Sequence, residues 1–246
     1  MDSVRFAIRA WLRSAAVMNL LARPLVLAAA LVAMPARAQW LGADYATFGA
    51  PQVNYAASSF LNFTYLNEAT PRRAGAAAST VVTSSGDGAA SAAALAKGYP
   101  AEHRARMAGI FKESLAAFRK LEVQLNVPRN DLAVAMAAFI CGHYMALHDQ
   151  PLPPDAQFIA LANQLRGGLV RSSALAGASK AVRQEAYEQF AMMGMFMATA
   201  QLALVQQRPG PQAEANFRQH ARANLGAVLK VPAERLELTA GGLRLR

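Results

Sequence analysis

The chain has 246 residues, of which 25 are Lys or Arg and 15 are Asp or Glu, and 54% of its side chains are hydrophobic. Charged residues make up 16% of the chain, against about a quarter in an average soluble domain. Outside the N-terminus, no apolar run reaches the roughly 20 residues that a membrane-spanning helix needs, which argues against a multi-span membrane protein. The single cysteine, Cys141, excludes an intramolecular disulfide framework and a cysteine-based zinc site.

The formal net charge of +10 comes from 20 arginines and 5 lysines. A basic chain can bind nucleic acid or an anionic surface. Here, however, the basic residues are scattered, and none of the basic runs is longer than Arg72-Arg73. We therefore interpret the charge as that of a solvated basic surface and expect no nucleic-acid partner.

The first 38 residues have the pattern of a secretory signal peptide. Basic residues up to Arg23 precede ten uncharged residues at positions 25–34, and Ala36-Arg37-Ala38 is a small-x-small cleavage site. Ten helical residues span about 15 Å, half of the hydrocarbon core of a bilayer, so this segment is too short for a permanent anchor. We expect cleavage after Ala38 and an exported, periplasmic or secreted mature protein without a transmembrane span.

Residues 39–97 differ in composition from the rest of the chain. Only six of them are charged, and Gly, Ala, Ser and Thr dominate. We expect a low-complexity, largely disordered segment that includes a flexible linker at residues 70–88. Residues 89–97 are expected to form a short helix that ends at Gly98.

One part of this segment alternates between apolar and polar side chains. Within residues 60–66, Leu61, Phe63 and Tyr65 fall on one side of an extended chain. The pattern is typical of a single strand or of an exposed apolar segment that binds a partner, and the sequence leaves both interpretations open.

From residue 98 to residue 246 the spacing of apolar residues predicts a helical domain. Breaks that contain proline separate most of its expected helices. Five main helices are predicted: residues 101–125, 132–147, 155–170, 180–207, and a fifth that follows Pro211 and ends near Lys230. Residues 235–246 alternate around Gly241-Gly242 and predict a short β-hairpin. The expected fold class is therefore all-α, a five-helix bundle with a C-terminal β-hairpin.

The second of these helices is apolar on nearly every side, which places it at the centre of the bundle. The fourth is amphipathic in its first half and almost wholly apolar in its second half, and we expect it to share that central position. Ala138, Gly142 and Ala146 on the second helix recur at a spacing of four, as do Gly194 and Ala198 on the fourth. Small residues at this spacing let two helix backbones approach closely. We expect the two helices to cross there.

No recognised catalytic or metal-binding motif is found. Cys141 and His143 lie two positions apart on a helix, about 200° round its axis, so the imidazole is out of reach of the thiol. A metal site in a helical bundle would use Glu-x-x-His pairs, and the sequence has none. The methionines at positions 192, 193, 195 and 197 point around the helix and are interpreted as core packing. We expect neither a metal nor a cofactor.

One group of polar residues falls within the two apolar helices. His143 and Tyr144 belong to the second helix, while Tyr187, Glu188 and Gln201 belong to the fourth. If the helices pack together, some of these side chains converge. Two interpretations remain open: a hydrogen-bonded network that fixes helix register, or a site for ligand binding or acid–base chemistry.

Residues 132–139, 142–146, 185–198 and 238–243 resemble an uncharacterised family of exported bacterial proteins that share domain of unknown function 6683. The resemblance covers about residue 90 to the C-terminus. It implies an exported protein and a helical fold, and it implies no activity, substrate or catalytic residue.

Two classes of function follow from these observations. The first is a non-enzymatic binding or interaction module of the envelope or periplasm, which contacts an envelope protein or surface component through residues 53–66. The second is a small-ligand receptor or an enzyme with a pocket between the second and fourth helices near His143, Tyr187 and Glu188. The absence of a catalytic motif favours the first class.

Overall fold

The computed structural model describes residues 79–84 and 86–246. This part of the chain forms seven α-helices, one turn of 3₁₀-helix and a two-stranded antiparallel hairpin. The helices are α1 (Ala89–Ala96), α2 (Ala101–Gln124), α3 (Leu132–His148), α4 (Asp155–Leu169), α5 (Ser173–Gly177), α6 (Lys180–Gln207) and α7 (Pro211–Leu229). The 3₁₀ turn (Ala233–Arg235) leads into the strands β1 (Leu236–Thr239) and β2 (Gly242–Leu245).

The predicted helical fold is confirmed, including the short helix at residue 89, the five long helices and the hairpin. The sequence does not predict α5, which contains only five residues. This helix forms because the Ser172 hydroxyl caps its first turn by accepting from the backbone N–H of Leu175, whose side chain is fully buried. The expectations for the signal peptide and for residues 39–78 lie outside the described residues.

Local signals set the ends of the long helices. The Asp131 carboxylate accepts from the N–H of Ala133 at 2.8 Å and begins α3, and the Ser179 hydroxyl accepts from Val182 and begins α6. Pro211 occupies the first turn of α7, where its missing N–H leaves no donor unsatisfied. The chain leaves α6 at Arg208, which has a left-handed φ of 47°, directly before Pro209. Helix boundaries were therefore readable from the sequence.

Helices α3 and α6 form the centre of the bundle. Helix α3 packs against α6, α4 and α7, while α2 and α1 cover the other side of α6. At the crossing, a Cβ atom built on Gly142 would overlap the carbonyl oxygen of Gly194, and one built on Gly194 would overlap the backbone of Ala138. The predicted close approach at small residues is thus confirmed. No helix in the described part of the chain combines the length and apolarity needed to span a membrane.

The C-terminal hairpin packs on α4, where one glutamine side chain forms the two backbone hydrogen bonds that a neighbouring strand would form. In the hairpin, Leu236 pairs with Leu245 and Leu238 pairs with Leu243. The amide of Gln164 donates to the Leu243 carbonyl at 2.8 Å and accepts from the Leu243 N–H at 2.7 Å. Both polar groups of this edge residue are therefore satisfied by α4.

Candidate functional site

The five polar residues singled out from the sequence lie in different parts of the bundle. His143 is directed toward α7, where it bonds with Asn224. Tyr187 and Glu188 have their partners on α2, on α1 and in the residues before α1. Gln201 lies near the C-terminal end of α6, where its amide donates to the Asp149 carboxylate at 2.8 Å. The structure therefore brings Tyr187 and Glu188 to one region and gives the other residues separate surroundings.

His143 is completely enclosed. Its Nδ1 lies 2.7 Å from the Phe139 carbonyl oxygen, which can only accept, so Nδ1 carries the proton. Nε2 then accepts from the Asn224 amide at 3.3 Å. Burial lowers the pKa of His143 to about 4. The imidazole is therefore neutral at physiological pH, and both of its nitrogens are engaged by the protein.

Tyr144 lies on the same helix in a more open position. Its ring packs at an angle of 46° against that of His148, with the centroids 4.3 Å apart. The side chain is half-buried and forms part of the wall of a surface pocket between α3, α4 and the hairpin. Tyr144 is thus separated from the buried surroundings of His143, although the two are adjacent in sequence.

Tyr187 pairs with a buried carboxylate on α2. Its hydroxyl lies 3.2 Å from each oxygen of Glu122, and Oε1 of Glu122 also accepts from the N–H of Asn130 at 2.9 Å. Both side chains are almost completely buried. Burial raises the pKa of Glu122 to about 7, and burial together with the adjacent carboxylate raises the pKa of Tyr187. This pair joins α6 to α2 and to the loop that precedes α3.

Glu188 holds the chain that leads into α1. Its carboxylate accepts from the hydroxyls of Ser84 at 2.8 Å and Ser91 at 2.6 Å, and from the Gln184 amide at 2.9 Å. Arg119 of α2 donates to the same Ser84 hydroxyl at 3.0 Å and to the Gly86 carbonyl at 2.6 Å. A buried carboxylate on α6 and a cation on α2 thus bind one short segment from both sides.

We call residues 79–84 the strap. The strap runs antiparallel to the start of α3: the N–H of Val82 donates to Asn130, and the N–H of Leu132 donates to Thr80, both at 2.9 Å. The Val82 side chain is buried in the core, whereas Val81 is 50% exposed. The strap is therefore fixed to the bundle by its backbone, by the two buried residues Thr80 and Val82, and by the polar contacts of Ser84.

Arg119, Glu122, Tyr187 and Glu188 together form what we call the strap anchor. Arg119 and Glu188 bind the strap directly through Ser84. Glu122, held by Tyr187, binds the N–H of Asn130, whose carbonyl accepts from the strap. The chemistry of these side chains is thus directed at the segment that precedes α1 and at the loop before α3.

Sequence reasoning missed three members of these networks, although a signal for two of them was present. Glu122 follows Phe118 by four positions and Asn224 follows Phe217 by seven, so each lies on the apolar side of an amphipathic helix. A polar residue at such a position usually has a buried partner. Arg119 lies next to that apolar side and is half-buried, and its role depends on residues 33 and 35 positions away. No local pattern reports such contacts.

The described residues contain no group of three or more His, Cys, Asp or Glu side chains that could hold a metal ion. The two buried carboxylates of the strap anchor, Glu122 and Glu188, bind hydroxyl, amide and N–H groups of the protein instead. A shallow depression of about 20 Å³ adjoins Gln201 and Asp149. This space holds about one water molecule, so it is too small for an organic cofactor.

The fold and its polar core define an all-α protein whose central helices hold its own N-terminal strap. The chain belongs to the family of unknown function DUF6683, whose sequence profile matches residues 20–246. The resemblance seen in the motifs is confirmed, and the match also covers most of the residues before position 90. No curated protein and no solved structure matches the chain.

Replacing Glu122 with glutamine is expected to stabilise the protein at alkaline pH. The pKa of Glu122 is about 7 in the fold against an ordinary value of 4.5, so the folded chain binds this proton more tightly than the unfolded chain. The resulting stabilisation is complete below about pH 4.5 and is lost as the pH rises through 7; its full size is roughly 3 kcal/mol. Glu122→Gln stays neutral and keeps an oxygen to accept from Asn130.

Urea unfolding at pH 4.5 and pH 8 measures this effect. Glu122→Gln should match the wild type at pH 4.5 and exceed it by about 1–3 kcal/mol at pH 8. Glu102→Gln, an exposed position in the first turn of the same helix, should change stability by no more than about 0.5 kcal/mol at either pH. Equal stabilities of the wild type and Glu122→Gln at pH 8 would contradict the assignment.

Proposed function

We propose that this protein is an exported, non-enzymatic binding or interaction module of the envelope or periplasm, which contacts an envelope protein or surface component through residues 53–66. The observation that carries the proposal is that the buried polar side chains form hydrogen bonds with other groups of the protein. Glu188 bonds to Ser84 of the strap, and Tyr187 bonds to the Glu122 carboxylate. His143 is enclosed, with both nitrogens bonded to protein groups. An acid–base residue must come within hydrogen-bond reach of its substrate. The geometry of these side chains therefore favours a structural role over catalysis.

The same geometry argues against the receptor or enzyme alternative. A pocket near His143, Tyr187 and Glu188 would require that these side chains face a common space. Instead, His143 bonds with α7, Tyr187 bonds with α2, and Glu188 bonds with α1 and the strap. Their polar groups are already matched by protein groups, as expected for networks that fix helix packing.

The strap anchor gives the bundle a mechanical role in this proposal. It fixes the chain at Ser84, close to where the N-terminal residues join the bundle. The 13 residues from Leu66 to Ser79 can reach at most about 45 Å when fully extended. A partner bound at residues 53–66 would thus be held within that distance of the strap. Export is part of the proposal and rests on the signal-peptide pattern of residues 1–38.

Affinity capture from an envelope extract tests the proposal, with the mature protein, which we expect to begin at Gln39, as bait. The test variant is Leu61→Asp with Phe63→Asp, which places two charges on the apolar side of the alternating segment. The control is Asn62→Asp with Thr64→Asp, which places the same charges on the other side. Burial of each of the two large apolar side chains contributes about 1.5–3 kcal/mol. The test variant should therefore capture at least about tenfold less of the partner than the wild type does.

The control pair should capture the same partner as the wild type. Equal capture by the test variant would exclude residues 53–66 as the contact. Copurification of a metabolite that is lost in His143→Ala, with no captured partner, would favour the receptor or enzyme class.

A further inference from the structure

We propose that the pocket between α3, α4 and the hairpin is a binding site for a small, neutral aromatic molecule that carries one hydrogen-bonding group. This site is separate from the strap anchor and from the contact proposed for residues 53–66. The proposal for this pocket does not depend on the proposed function.

The pocket has a volume of about 250 Å³ and is open on one side. Buried Cys141 and Met145 of α3 line it, together with the loop between α3 and α4 and Leu238 of β1. At roughly 30 Å³ for each water-sized group, the space fits about eight non-hydrogen atoms. This is the size of one substituted aromatic ring and is much smaller than a nucleotide.

Three prolines restrict the backbone of the loop that forms one wall of the pocket. Pro151, Pro153 and Pro154 all line the pocket, and each proline has its φ angle fixed by its ring. Pro153 is buried, and α4 begins immediately after Pro154. A wall with a restricted backbone reduces the entropy lost on binding.

The residues that line the pocket carry no charge at neutral pH. Burial raises the pKa of the Cys141 thiol to about 12, so this side chain is protonated as well. A charged ligand would therefore lose its hydration without gaining an opposite charge. The lining favours a neutral ligand.

The lining offers contacts that suit a ligand with an aromatic ring and a polar substituent. Tyr144 supplies an aromatic ring and Met145 a thioether, and both groups pack favourably against aromatic ligands. Gln150 and Gln157 supply amide groups that can donate and accept hydrogen bonds. Polar and apolar groups thus share the lining of the pocket, and a ligand that combines a ring with a hydrogen-bonding group matches both.

Benzyl alcohol is a suitable probe because it combines one aromatic ring with one hydroxyl. Titration of the full-length protein, labelled with ¹³C at the methionine methyl groups, should give a saturable shift of the Met145 resonance with a Kd of order 1 mM. Met107, which lies on α2 and does not line the pocket, should not shift. Benzoate, which has a similar size but carries a negative charge, should bind at least tenfold more weakly.

Two tryptophan variants of the hairpin provide the mutational test. Leu238→Trp places an indole at the pocket wall and should abolish the Met145 shift. Leu245→Trp on β2 makes the same change at a half-buried position outside the lining and should leave the affinity unchanged. The proposal would be overturned by a non-saturable or equal shift of Met145 and Met107, by benzoate binding as tightly as benzyl alcohol, or by unchanged binding in Leu238→Trp. If Leu238→Trp fails to fold, the wild-type comparison of the two probes decides.

Discussion

Gly142→Ala is expected to destabilise the protein by about 3 kcal/mol or more, although the change adds a single methyl group. The added Cβ would overlap the Gly194 carbonyl oxygen and would lie 3.2 Å from the backbone nitrogen of Ala198. Both atoms belong to the backbone of α6, so no side-chain rotation can relieve the overlap. Gly194→Ala should have an effect of similar size, because its Cβ would overlap the backbone of Ala138 and Phe139. Leucine at position 142 would be at least as damaging.

Gly109→Ala provides the matched control. Gly109 lies on the exposed side of α2, and a Cβ there would meet no atom within 4 Å. Alanine has a helix propensity about 0.8–1 kcal/mol better than glycine, so this variant should be slightly more stable than the wild type. Chemical denaturation of the three variants measures the difference. A neutral result for Gly142→Ala would mean that α3 and α6 do not cross at these glycines.

Arg166→Met is expected to destabilise the protein by about 3–5 kcal/mol, because it leaves a buried carboxylate without its cation. Asp131 is completely buried, and one of its oxygens accepts from two nitrogens of Arg166 at 2.9 and 2.7 Å. The other oxygen caps α3 through the N–H of Ala133. The residue thus lies where α3, α4 and the strap meet, since Val81 of the strap bridges to it.

A second substitution separates the charge from the cap. Asp131→Asn retains an oxygen for the cap and removes the charge, so Asp131→Asn combined with Arg166→Met should recover part of the stability that Arg166→Met loses. Arg222→Met is the control, because Arg222 pairs with Glu234 where both side chains are more than half exposed. Such a pair contributes at most about 1 kcal/mol. Similar losses for Arg166→Met and Arg222→Met would contradict a special role for the buried pair.

The polar network shows how far prediction from the sequence reaches in this protein. Tyr187 and Glu188 were expected to be buried if the second and fourth predicted helices pack together, and both are buried. Their partners were not predicted: Tyr187 bonds to a residue 65 positions away, and Glu188 to residues 97 and 104 positions away. His143 was placed beside Tyr187 and Glu188 as a hypothesis, but it bonds with Asn224, 81 positions further along the chain. Periodicity shows which side of a helix is buried, but it carries no information about which distant segment packs against that side.

By itself, the sequence determined every α-helix of the described residues except α5, the ends of these helices and the crossing of α3 with α6. These features depend on local signals, which are apolar spacing, capping side chains, prolines and small residues four positions apart. Only the tertiary structure decided that Glu188 and Arg119 bind the strap and that Tyr187 bonds to Glu122. It also decided that Asp131 joins α4 to α3 and that an uncharged pocket opens beside Tyr144. The physical reason is that a hydrogen bond or a cavity requires atoms from distant segments to meet within a few ångströms. Chain packing sets those positions, and no single stretch of sequence encodes them.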